Sequence, residues 1–290
     1  MTDIRLAQTT TPAIVSLALA ASLTGCGAKN EAAEDPVNPA AGIAGSAGPL
    51  SVDDGGSGGL PVVFVHGYGG DTEQWSAQLA HLRPTRRAIA LDLRGHGKSG
   101  APAGNDYAVE SLAADIAAVV DSLHVERFVL VGHSMGGAAA IAYAGAHPDR
   151  VAGLVMVGAP GRTPPEQGQK IMAQIEANYD SVTMAYWQQL LTDAQPSVRE
   201  RVMQRMRSVP KAPSLVIIRT LMQFDPVPAL SRYPGPKLAI HTARENTPGD
   251  LQNQVAGLPD RTIAGASHWM HMDKPEEFNR LLDEFLATLH

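Results

Sequence analysis

The run GHSMG, residues 132–136, places one hydroxyl among glycines directly after the apolar stretch FVLV, residues 128–131. A serine hydroxyl is a weak nucleophile until a base takes its proton, so its chemistry depends on a partner. The stretch GASHWMHMDKPEEF, residues 265–278, offers two histidines, His268 and His271, and His268 stands at a G-x-x-H spacing just before a helix-like run. The turn HGYGG, residues 66–70, adds a glycine-rich backbone whose N–H groups can face an oxygen that turns negative. Nucleophile, base and oxyanion donors together are the parts of acyl transfer. His268 would take the Ser134 proton, the hydroxyl would attack a carbonyl carbon, and the amides of Tyr68 and Met135 would hold the oxyanion.

The other histidines read differently. His133 is expected to face away from Ser134, because neighbours on a strand point to opposite sides. His66 is expected to be a hydrogen-bonded structural residue, and His271 a support or pocket wall beside His268. The ten histidines show no paired ligand spacing of the H-E-x-x-H kind, so neither metal nor organic cofactor is expected.

Such groups need rigid elements to hold them. Short β-branched runs recur in LPVVFVHGYGG (60–70), RAIALDLRGHG (87–97), RFVLVGHS (127–134), VAGLVMVGAP (151–160), KLAIHTA (237–243) and RTIAGASH (261–268). Helix-like stretches lie between them, notably 108–124, 135–147 and 275–289. Alternation of this kind predicts an α/β fold with a doubly wound, mostly parallel sheet and functional groups at the C-terminal strand ends. Residues 161–232 read as four further helices rich in methionine and aromatic residues, an insertion placed to form a helical cap.

With GHSMG between a strand and a helix, HGYGG after the first strand, LDLRGHGKSG after the next and a late His268, the sequence resembles the α/β-hydrolase superfamily over about residues 60–290. The resemblance implies the α/β-hydrolase fold and a Ser-His-acid triad. It makes 91–100 a D-x-R-G-x-G-x-S signature in which Asp92 and His96 buttress the site. The family's acid follows the penultimate strand as G-x-x-D. Laid on LAIHTARENTPGD, residues 238–250, that pattern puts Thr242 at the glycine and Glu245 at the acid, with Asp250 as the alternative. The function implied is hydrolysis of a small to medium carboxylic ester through an acyl-enzyme. Relatives with the same triad act on carbon–carbon, lactone or amide bonds or as perhydrolases. A surface-binding role without catalysis is a further alternative, prompted by Thr242 and Glu245.

A net charge of −6 disfavours nucleic acid as a partner, since phosphate binding needs concentrated Lys and Arg. The N-terminal segment AIVSLALAASL, residues 13–23, is too short for a membrane span and suits a signal-peptide core. It leads into LTGC, residues 23–26, which resembles a bacterial lipobox. That resemblance implies cleavage after residue 25, lipidation of Cys26 and an exported, membrane-anchored lipoprotein. Residues 27–59, rich in Ala, Gly, Pro and Ser, are expected to be a flexible linker with room for one short hairpin strand near its end.

Overall fold

The computed structural model describes residues 42–289. The signal segment, the lipobox cysteine and residues 27–41 lie outside them. The first described elements are the short strands β1 (Ile43–Gly45), β2 (Gly48–Leu50) and β3 (Val52–Gly55). The core follows as β4 (Val62–Val65), α1 (Ser76–Leu82), β5 (Ala88–Leu91), α2 (Val109–Ser122), β6 (Phe128–His133), α3 (Met135–Ala146) and β7 (Val151–Val157). Five helices come next: α4 (Pro165–Ala177), α5 (Tyr179–Leu190), α6 (Pro196–Ser208), α7 (Lys211–Gln223) and α8 (Pro226–Arg232). The chain then returns to the sheet with β8 (Lys237–Thr242), α9 (Leu251–Gln254) and β9 (Asp260–Ile263), and ends with α10 (Met270–Asp273) and α11 (Pro275–Leu286).

Seven strands form one sheet in the order β3-β5-β4-β6-β7-β8-β9, parallel throughout except for antiparallel β3 at one edge. Every residue of β4, β5, β6 and β7 is buried, as continuous apolar runs require when helices cover both faces. On one face Val63, Leu130 and Leu154 pack with α2 and α3; on the other Phe64, Val131 and Val155 pack with α1 and α11. Helix α11 meets that face with Phe278, Leu281, Leu282 and Phe285, at the spacing of one apolar stripe.

The expected linker ends earlier than the sequence suggested. β1 and β2 form a hairpin, and β3 pairs with β5 along Val52–Gly55. Asp53 and Asp54 are poor strand formers, but Arg83 and Arg87, from the segment between α1 and β5, hold them at 2.6 and 2.7 Å. β3 is the short strand expected near the linker's end, whereas composition alone reads β1 and β2 as tether.

After β5 the chain turns on Gly95 and Gly97, both at positive φ. Asp92 sits inside this turn and accepts from the amides of Thr72 at 2.7 Å and Lys98 at 2.8 Å. Arg94 inserts into the core as a bidentate partner of Asp115, at 2.9 and 2.6 Å, and both side chains are buried. Loss of one member of such a pair leaves the other charge buried and uncompensated. Asp115→Ala is therefore expected to cost about 3–5 kcal/mol of folding stability, read as a lowered urea midpoint.

Among the buried histidines are His66, His96, His133 and His271. His66 donates from Nδ1 to the Gly67 carbonyl at 2.7 Å and accepts the Leu93 amide at 3.0 Å, a pattern that needs the neutral ring. Burial pushes His66 and His96 down to about 4 and His271 to about 3, and it pushes His133 well below the usual range. Each is thus neutral when folded and takes up a proton when unfolded once the pH falls below about 6.5. Stability is full above that pH and falls on acidification, levelling out only below the folded-state values. Urea unfolding at pH 7, 6 and 5 is expected to lose on the order of 1 kcal/mol per pH unit for each histidine. His271→Phe removes one proton from that slope, and an unchanged slope would contradict this assignment.

Candidate active site

Ser134 is the hinge between β6 and α3, with φ 51° and ψ −116°. Left-handed backbone at a non-glycine residue costs about 1–3 kcal/mol and persists only where its surroundings hold it. The Ser134 amide donates to Val157 O at 2.8 Å, and its carbonyl accepts the Ala138 amide at 3.1 Å. The flanking glycines are required by space. A Cβ on Gly136 would lie 2.4 Å from His66 O, and one on Gly132 would lie 2.3 Å from Gly136 O.

The amides of Tyr68 and Met135 have no hydrogen-bond partner among the described residues. Met135 begins α3, where unsatisfied N–H groups and the helix dipole favour negative charge. The Tyr68 ring is buried, stacked on Trp187 at 5.2 Å and edge-on to His96 at 6.0 Å.

His268 follows β9 and is held at three points. Its amide donates to Leu190 O at 3.0 Å, and its carbonyl accepts from His133 Nε2 at 3.0 Å. Its Nδ1–H donates to Glu245 Oε1, which leaves Nε2 as the free acceptor. The second oxygen of Glu245 accepts from the Thr242 amide at 3.1 Å and the Thr242 hydroxyl at 3.2 Å. Thr242, the departure from the G-x-x-D pattern, thus becomes part of the carboxylate's support. Burial disfavours the Glu245 charge, but His268 and the Thr242 donors outweigh it and hold the carboxyl below the usual range. Asp250 is occupied elsewhere, accepting from the Thr247 amide at 2.7 Å and hydroxyl at 2.8 Å. Gly158, at φ 52°, leaves the passage open: a Cβ there would sit 2.9 Å from His268 Cε1.

His133 does not face away as strand alternation suggests. Its ring lies 4.7 Å from that of His268, and it shares a cavity with Ser134. The strand ends at His133, and the turned backbone of Ser134 breaks the alternation that the expectation relied on. His271 is a support behind the site, stacked on Trp75 at 4.1 Å. Sequence reasoning missed Asp273, whose buried carboxylate accepts from Ser267 N at 2.9 Å, Ser267 Oγ at 2.5 Å and Gln195 N at 2.8 Å. It ties the loop before His268 to the chain leaving α5, and no local spacing marks it.

Ser134, His268, Tyr68 and His133 line a cavity of about 70 Å³, closed by Trp187, Leu190 and Met222 from the five-helix insertion. A larger groove of about 430 Å³ between α2, α3, α7 and α8 contains none of these polar groups. Among the described residues no cluster of three or more His, Cys, Asp or Glu is arranged to hold a metal, and no helix is long and apolar enough to cross a membrane. A hydroxyl, an imidazole with a free Nε2 and a carboxylate behind it, with two unpaired amides nearby, suit nucleophilic attack on a carbonyl.

The model of the α/β-hydrolase fold family matches residues 61–207. The chain is 31% identical over 246 residues to the dihydrolipoyllysine-residue acetyltransferase component of an acetoin cleaving system from Pseudomonas putida. That match covers 80% of this chain and 65% of the relative, so the chain spans just under two thirds of it. It is 26% identical over 249 residues to a 2-hydroxymuconate semialdehyde hydrolase from a Pseudomonas species, covering 79% of this chain and 87% of that one. A solved thermophilic esterase from Thermogutta terrifontis superposes with a TM-score of 0.71 at 26% identity, over 83% of this chain and 94% of its own. With the family model spanning half the sequence and a solved esterase matching most of the fold, the chain belongs to the α/β-hydrolase fold family.

Proposed function

We propose that this hydrolase cleaves carboxylic esters with a short acyl group, through Ser134 as nucleophile, His268 as base and Glu245 as the acid that orients it. The observation that carries this reading is the pairing of His268 Nδ1–H with Glu245, which turns Nε2 toward proton acceptance in the cavity that holds Ser134. In the first half-reaction Nε2 takes the Ser134 proton as the hydroxyl attacks, and the amides of Tyr68 and Met135 receive the oxyanion. The imidazolium, stabilised by Glu245, returns the proton to the departing alcohol. Water then repeats the sequence on the acyl-enzyme and releases the acid.

Cavity size supports a short acyl chain. About 10–15 Å³ of such space holds one water, so about 70 Å³ accepts only a handful of non-hydrogen atoms. Sites for drug-sized ligands run to about 300–1,000 Å³. The relatives' names cover acetyl transfer, a semialdehyde hydrolase and an esterase, so they support the machinery more than the substrate.

On a p-nitrophenyl ester series, activity is expected to peak between acetate and butyrate and to fall at least about tenfold by octanoate. Ser134→Ala is expected to abolish turnover and Glu245→Gln to lower kcat by about 10²–10⁴, while Asp250→Asn stays within about twofold of wild type. Ester hydrolysis that survives Ser134→Ala would overturn the reading. Loss of activity in Asp250→Asn but not in Glu245→Gln would move the acid.

The N-terminal segment supports a place at the membrane surface: a signal core that leads to LTGC, with Cys26 lipidated and residues 27–41 as the tether. In a bacterial host the full chain is expected in the detergent-extracted membrane fraction and labelled by a palmitate analogue. Cys26→Ser is expected to lose both properties. An unlabelled wild-type chain in the soluble fraction would refute the anchor.

A further inference from the structure

The loop that carries the Tyr68 amide sets one large ring among glycines. Gly67, Gly69 and Gly70 surround Tyr68, and the turn is closed by one backbone bond, Gly70 N–H to Gly67 O at 3.0 Å. Glycine offers no side chain to pack and ready access to other backbone conformations. The peptide carrying the Tyr68 N–H is held at its carbonyl, Gly67 O, by the Gly70 amide and by His66 Nδ1–H at 2.7 Å, and on its other side by the one large side chain in the turn. That ring lies flat on Trp187, at 5.2 Å and an interplanar angle of 10°. Both rings are more than nine-tenths buried, whereas the adjacent Tyr186 is 50% exposed. Trp187 stands one turn before Leu190, the last residue of α5, whose carbonyl accepts the His268 amide at 3.0 Å. One helix of the insertion thus touches the oxyanion loop through a ring and the base through a backbone bond.

Resting on the serine-hydrolase reading above, we propose that Trp187 is a positioning residue: its stack on Tyr68, acting with the bonds to Gly67 O, fixes the oxyanion amide, and α5 sets that amide and His268 in mutual register. The insertion then does more than cover the acyl cavity. Stacked aromatic pairs are directional, so a planar replacement keeps the register where an aliphatic one of similar bulk does not.

Two substitutions that preserve an apolar side chain test this, Trp187→Leu and Trp187→Phe, with Met172→Ala on α4 as a control for loosening the insertion elsewhere. The readouts are kcat and KM on p-nitrophenyl acetate, and the rate at which a fluorophosphonate labels Ser134, since its phosphonyl oxygen needs the same amides. Removing an oxyanion donor costs about 10²–10³ in kcat, so misplacing one is expected to cost about tenfold or more. Trp187→Leu is expected to show that loss in kcat and in labelling rate, with KM within about threefold of wild type. Trp187→Phe is expected to recover most of both, and Met172→Ala to label at the wild-type rate. A Trp187→Leu variant that labels and turns over like wild type, or loses only through KM, overturns the proposal and leaves the serine-hydrolase reading standing. Failure of Trp187→Phe to recover, or an equal loss in Met172→Ala, also overturns it. A folded wild-type protein whose Ser134 takes no label sinks both.

Discussion

The close approach of α3 to the ends of β4 and β6 is the constraint on which the site depends. Two backbones meet there at a distance that only glycine permits: a Cβ on Gly136 would stand 2.5 Å from Val65 O, and one on Gly132 would stand 2.8 Å from Gly137 Cα. The alanines that follow keep the helix slim, and nearly all of α3 is buried. Because the helix cannot retreat, the residue between strand and helix must turn through positive φ, and Ser134 is that residue. The same approach brings the first amide of α3 beside the HGYGG turn. The placing of Ser134 and of the Met135 and Tyr68 amides thus follows from one packing distance, set by fully buried strands and a helix buried over nearly all its length.

Electrostatics around the site separate one histidine from its neighbours. His66, His96, His133 and His271 are kept neutral by burial and, in part, by one another's proximity. His268 alone among these five has a carboxylate against its ring, and Glu245 is ionised below the ordinary carboxylate range. A positive charge on His268 is then balanced by Glu245 without competition from another cation in the cluster. His133 contributes through position, since its Nε2–H holds the His268 carbonyl from below while Leu190 holds the amide from above.

Much of this was legible in the sequence because it is local. The apolar runs and their glycine turns marked β4 to β9, and GHSMG between strand and helix marked Ser134. Glu245 was reachable through a pattern fixed to the end of a strand, and the Thr242–Glu245 capping arrangement explains why a four-residue spacing works there. What escaped depends on contacts distant in the chain. The β1–β2 hairpin reads as tether because what it packs on is distant: Arg94, which donates to Ser46 in the hairpin's turn at 3.0 Å, comes far later in the chain. His133 departs from strand alternation because β6 ends there and Ser134 turns through positive φ. Asp273 and Trp187 stand in unremarkable stretches and acquire meaning only where α5 meets the His268 loop.

The order of the elements along the chain sets a timetable. Synthesis runs from the N-terminus, while a domain generally folds as a unit. β4, β5, β6 and α3 appear first, carrying Ser134 and both amides, and the five helices follow. Glu245 and His268 arrive last, on the segments that add β8 and β9 to the edge of the sheet. Until that edge is built, the serine has neither base nor carboxylate behind it. A chain cut before β8 would therefore carry the Ser134 hydroxyl with neither His268 nor Glu245 beside it.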